Sequence, residues 1–146
     1  MIEAGTKADF FKLRTPLLSK GRLDTELTRT DNMRVWMKCY AEGGENVLHA
    51  HPSEDHIFVI LQGQARFHDK DDNERVLGRN EGIMLPAGAF YYFESCGDEP
   101  LVMLRVGAYT EPPKAARIGL DGHVIVGNSE ENKHEDPVAI EGAFYE

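Results

Sequence analysis

The chain has 146 residues, 41% of them hydrophobic, which suffices for one globular domain with a real core and argues against disorder. Its 25 acidic against 16 basic side chains leave a net charge of −9, so a nucleic-acid backbone or an anionic membrane is a poor partner for the surface as a whole. No apolar run is long enough to span a bilayer, and the acidic N-terminal stretch does not read as a signal peptide. The expectation is a cytoplasmic protein with no membrane or nucleic-acid partner. The two cysteines, Cys39 and Cys96, lack the spacing of a disulfide framework or zinc ribbon and read as a buried thiol and a loop-edge thiol.

Along the chain, residues 10–18 read as a short helix or an irregular arm, interrupted by Pro16. Strand signals follow. Residues 23–30 are polar but alternating, and Asp31-Asn32 is a turn. Met33, Val35, Met37 and Cys39 alternate with Arg34, Trp36, Lys38 and Tyr40, a strand with one apolar face. Glu42-Gly43-Gly44-Glu45 breaks it. Residues 47–51 and 56–61 are the next two strands, bent apart from residues 64–68 by Gln62-Gly63. Residues 69–74 (DKDDNE) form a solvated loop, and residues 75–78 and 83–85 are short strands. Pro86-Ala87-Gly88 is a turn, residues 90–94 are aromatic, and residues 101–106 are apolar apart from Arg105. Beyond Thr110 the composition changes. A hairpin around Asp121-Gly122, expected as a type I′ turn, precedes a polar stretch and an aromatic end at Phe144 and Tyr145. Many short strands with Gly/Pro punctuation and almost no helical period predict an all-β sandwich or barrel.

The chemistry concentrates in HAHPSEDHIFVILQG. His49 and His51 are separated by one residue and project together if that run is extended. Pro52, Ser53, Glu54 and Asp55 are read as turn residues, the last two solvated. His56 opens the next strand. Two neighbouring strands can thus aim three imidazoles at one point, as a divalent metal requires. If the turn is one residue tighter, Asp55 takes the place of His56 and the set becomes two His and a carboxylate. His68, His123 and His134 receive no role.

These residues also resemble the two sequence motifs of the cupin superfamily. Gly43, His49, His51 and Gly63 match the first motif, with His56 where the family has Glu. Pro86 and Gly88 match the second, with Asn80 at its leading Gly, Tyr91 at its His and Ser95 at its closing Asn. The resemblance implies a double-stranded β-helix, or jelly-roll, spanning residues 23–109. Residues 1–22 would be an N-terminal arm, and residues 110–146 an extension that packs over the barrel mouth, crosses to a partner or stays partly disordered. A homodimer is the default implied for a small protein of this kind.

Position by position, the likeness implies one divalent transition metal per chain (iron, zinc, nickel or copper) at His49, His51, His56 and Tyr91. Tyr91 would be either a phenolate ligand or a neutral acid–base group beside the metal. Strand parity turns Phe58 and Phe93 into an apolar pocket with His56 and Tyr91. Arg105 either holds an anionic substrate or lies on the outer face or in a subunit contact. The expected function is metal-assisted chemistry on a small oxygenated organic substrate, dioxygenase-like or that of an isomerase or lyase. The alternative is a non-catalytic module binding a metal or small molecule.

Overall fold

The structure, a computed structural model, describes residues 6–41, 46–112 and 115–146. Gly43, the first position of the family likeness, lies outside them. The described residues form ten strands and no helix. In order they are β1 (Thr15–Lys20), β2 (Arg22–Arg29), β3 (Met33–Tyr40), β4 (Glu54–Gln62), β5 (Gln64–Asp69), β6 (Glu74–Leu77), β7 (Gly82–Leu85), β8 (Tyr91–Cys96), β9 (Leu101–Tyr109) and β10 (Val138–Tyr145). None of the described segments is a helix long and apolar enough to cross a membrane.

A five-stranded antiparallel sheet, β2-β3-β9-β4-β7, faces a three-stranded one, β6-β5-β8. The two sheets do not close on each other, and the result is an all-β jelly roll. The chain changes sheet between β4 and β5 at Gly63. That residue has φ of 76°, and a Cβ there would meet the Pro100 carbonyl oxygen at 2.9 Å. Asn80, which replaces a glycine of the family motif, has φ of 70° and donates its amide to Ile60 O at 2.8 Å. Asn is among the few non-glycine residues that enter this region readily.

Phe58, Ile60, Leu101 and Met103 of the larger sheet pack against Ala65, Phe67, Tyr91 and Phe93 of the smaller. Complete burial of a side chain such as Phe58 or Ile60 contributes about 2 kcal/mol. A second cluster lies on the far side of the larger sheet. There Met37, Cys39 and Val102 pack under a two-stranded ribbon of β1 and β10, which brings Leu18 and Tyr145.

Several local expectations are overturned. Residues 10–18 form no helix; from Thr15 they pair with β10. Pro16 blocks a continuous helix, whereas the register shifts of this ribbon accommodate it. Residues 47–51 make only isolated bridges, His49 with Tyr91 and Ala50 with Ile118. Glu54 and Asp55 open β4 instead of forming a turn. The turn at 119–122 is not type I′, because only Gly122 of its residues has positive φ, at 83°. The bonds Gly122 N to Gly119 O and Gly119 N to His123 O close it as a three-residue hairpin loop ending in a left-handed glycine.

Candidate functional site

His49 and Tyr91 exchange both backbone hydrogen bonds, at 3.0 and 2.9 Å, so their side chains leave the same face. Ala50 exchanges the same pair of bonds with Ile118 on its other side. The segment is therefore clamped between the start of β8 and the C-terminal extension. His51 follows with the parity of His49, and His56 enters from β4. Ring centroids lie 5.0 Å apart for His49 and His51, 4.8 Å for His51 and His56, and 4.5 Å for His49 and Tyr91. All four rings are buried.

Hydrogen bonds assign the proton positions. His49 Nδ1 lies 2.6 Å from Val47 O, and His51 Nδ1 lies 2.6 Å from Ala116 O. A carbonyl only accepts, so both Nδ1 atoms carry hydrogen and both Nε2 atoms present lone pairs. The Tyr91 hydroxyl donates to His51 Nε2 at 3.1 Å and accepts from His56 Nε2 at 3.2 Å. His56 Nδ1 is buried without a partner among the described residues, so the proton placement on His56 rests on the Tyr91 contact alone. Burial is the main cause that holds His49 and His56 near pKa 3 and His51 well below its ordinary value. The same desolvation pushes the Tyr91 phenol up, which keeps it protonated.

Neutral imidazoles whose Nδ1 atoms are tied to carbonyls are suitable ligands for a divalent metal, because the second hydrogen bond fixes both ring orientation and tautomer. The donor set therefore fits the group in its chemistry. As the side chains stand, however, no three or more His, Cys, Asp or Glu among the described residues are arranged as a metal-ligand group. The Tyr91 hydroxyl takes the hydrogen bonds of two of the Nε2 atoms. Asp55 takes no part; its carboxylate accepts from the Ala87 amide at 2.7 Å.

A cavity of about 620 Å³ opens beside the imidazoles, within the range of small-molecule sites. Phe58 and Phe93 line it together with His49, His51 and Tyr91. Arg105 also lines it, but its guanidinium is engaged by Glu54 at 2.7 and 3.3 Å. Arg34 grips the same carboxylate at 2.9 and 3.0 Å. The reading of Arg105 as an outer-face residue is thus corrected, as is that of Glu54 as a solvated residue. Burial alone would raise the Glu54 carboxyl; the two guanidiniums outweigh it and hold the group at about 2. Gly107 makes room for this cluster, since a Cβ there would fall within 2.0 Å of Glu54 Oε2.

Trp36, Lys38 and Arg117 also face the cavity and were not singled out in the sequence. Lys38 pairs with Asp24 at 3.0 Å, and burial brings its ammonium down to about 8 despite that partner. The alternation of β3 could have revealed Trp36 and Lys38, whose face is read as the solvent side when only its apolar partner is counted as core. No local signal points to Arg117. It arrives from the extension, next to Ala116, whose carbonyl holds His51.

Comparison with known proteins agrees with this architecture. The cupin domain family matches residues 36–107. A 48-residue stretch is 33% identical to the uncharacterized protein YdbB of Bacillus subtilis and covers 33% of this chain and 42% of that protein, so the chain spans less than half of that relative. A Klebsiella pneumoniae protein with a double-stranded β-helix domain superposes with a TM-score of 0.65 at 18% identity, covering 80% of this chain and 95% of that one. KdgF from Halomonas gives a TM-score of 0.60 at 13% identity, with coverage of 74% and 96%. The DMSP lyase DddQ from Ruegeria pomeroyi gives 0.56 at 19% identity, with coverage of 72% and 54%. With both sequence motifs, the domain match and the jelly-roll architecture in agreement, the chain belongs to the cupin superfamily through its cupin domain at residues 36–107.

Proposed function

We propose that this protein is a mononuclear metal-dependent enzyme acting on a small oxygenated organic substrate. His49, His51 and His56 would hold one divalent transition metal, with Tyr91 as the acid–base group beside it. The observation that carries the reading is the approach of two imidazole Nε2 atoms to one buried phenol, at 3.1 and 3.2 Å, beside a cavity that admits a small molecule. A bound metal there would supply Lewis acidity toward a substrate oxygen.

The chain's own residues would do the rest. Tyr91 holds a proton at Oη, which burial keeps on the phenol and which it would pass to and recover from a substrate group beside it. Phe58 and Phe93 keep water from the reacting atoms. The Val47 and Ala116 carbonyls hold two of the rings in place. A proton kept on a buried phenol suits an elimination or isomerisation better than oxygen insertion. A lyase among the similar folds is consistent with this preference. The dioxygenase-like reading shares the same ligands and requires in addition a redox metal and dioxygen as co-substrate.

Elemental analysis of the purified protein tests the metal. His51→Ala should bind metal at least roughly tenfold more weakly, and metal retained at full stoichiometry in that variant would overturn the assignment. Loading with copper or iron asks about the phenol. An intense visible charge-transfer band lost in Tyr91→Phe would make Tyr91 a phenolate ligand and remove it as the proton donor.

A further inference from the structure

We propose that the cavity takes its substrate as a small organic acid, whose carboxylate is bound by Arg117 with the Trp36 indole N–H and Lys38 beside it. The proposal deepens the metal-assisted reading above and rests on it for what happens at the other end of the substrate. The binding claim itself does not require the metal.

Charge is the first argument. In a chain of net charge −9, the cavity is lined by Arg22, Arg34, Lys38, Arg105 and Arg117, with Asp24 the acidic residue among its walls; Arg22 is engaged by the Gly127 carbonyl at 2.6 Å. Most of these cations already have carboxylates. Arg34 and Arg105 share Glu54, and Lys38 faces Asp24. Arg117 has no ion pair among the described residues, and its Nε is buried without a hydrogen-bond partner. The Trp36 Nε1 is likewise buried without an acceptor. Such donors are rare in a folded interior and mark a place where a missing acceptor belongs. A carboxylate presents two coplanar oxygens to a guanidinium fork and to an adjacent N–H. A guanidinium with no carboxylate partner among the described residues, as at Arg117, matches a monoanionic group better than a phosphate dianion.

Placement is the second argument. Register puts Trp36, Arg105 and Phe58 in one row across the larger sheet, with Lys38 one row further from the row of His56. Arg117 follows directly on Ala116, the residue that orients His51. A ligand held by Arg117 thus stays within the same cavity as His49 and His51. The extension that closes over the barrel delivers a ring-orienting carbonyl and a guanidinium together.

Trp36 is the chain's single tryptophan, so its fluorescence reports on this wall without a label. The full chain, treated with chelator, would be titrated with oxalate, malonate, succinate and pyruvate, and with neutral succinamide and inorganic phosphate as controls. At least one of the acids should change Trp36 emission saturably, and succinamide should not. Arg117→Gln should weaken that acid at least tenfold, and Arg117→Lys should recover part of the loss while far-ultraviolet circular dichroism stays unchanged. The chelator-treated parent should bind the acid with its metal removed, so failure of the metal reading leaves this test standing and the two readings fail separately. A saturable response to none of the acids, to phosphate alone, or equally to succinamide would overturn the proposal, as would undiminished binding by a folded Arg117→Gln.

Discussion

Strand β3 separates two regions with opposite chemistry. On its outer face Met37 and Cys39 are fully buried beneath the β1/β10 ribbon among leucines and Val102. On its inner face Trp36, Lys38 and Tyr40 look into the cavity. The outer side is held mainly by area removed from water. The inner side buries charges, which persist only because Glu54 and Asp24 stand against Arg34, Arg105 and Lys38. A sheet covered on both sides can thus give one face to stability and the other to a site. The two regions should also respond differently to charge and to volume.

The largest contrast should come from acid. In chelator-treated protein, His49 and His56 titrate near 3 in the fold and near 6.5 when exposed, so the unfolded chain takes up protons that the fold refuses. Stability is complete above the unfolded value and drains as pH falls from 6.5 toward 3, by about 1.4 kcal/mol per pH unit for each imidazole. Glu54, held at about 2 against an ordinary 4.5, adds to the loss below that value. The urea midpoint should therefore drop sharply between about pH 7 and about pH 5. A flat profile over that interval would mean that the inner rings are not buried as neutral groups.

Next in size is Glu54→Gln. The amide keeps the volume and removes the charge that two guanidiniums share, so it should cost about 3–5 kcal/mol in urea unfolding. A loss smaller than about 1 kcal/mol would place Arg34 and Arg105 in solvent reach and dissolve the contrast. Met37→Ala sharpens it from the other side. Truncation in the outer cluster should cost about 3 kcal/mol through its cavity, yet leave metal content and acid binding at Trp36 unchanged. A Met37→Ala protein that folds but has lost either would show that the two faces are coupled through the strand.

Much of the barrel was legible because strands announce themselves by period and punctuation. The alternation of residues 33–40 and the aromatic start of β8 both mark strands, and the glycine at 63 marks the change of sheet. The spacing of His49, His51 and His56, together with the Pro86-x-Gly88 turn before Tyr91, was enough to bring four rings into one neighbourhood. Residues 52–55 misled for a local reason. Turn-forming types at Ser53, Glu54 and Asp55 were given more weight than the edge of β9, which pairs with Glu54 as far as Tyr109. Glu54 looked solvated because its two guanidinium partners are remote in sequence. The polar face of β3 was misleading in the same way, since alternation names two faces without saying what covers each.

The sequence by itself determined the all-β class, most of the turn positions and the set of side chains able to carry the chemistry, because each depends on residues within one or two turns of chain. Only the tertiary structure decided which carbonyls orient His49 and His51, that Arg105 is held by Glu54, and that Arg117 enters the cavity from the C-terminal extension. These contacts join positions far apart in the chain. Their energies come from desolvation and hydrogen-bond geometry that exist only once the sheets and the extension have closed around them.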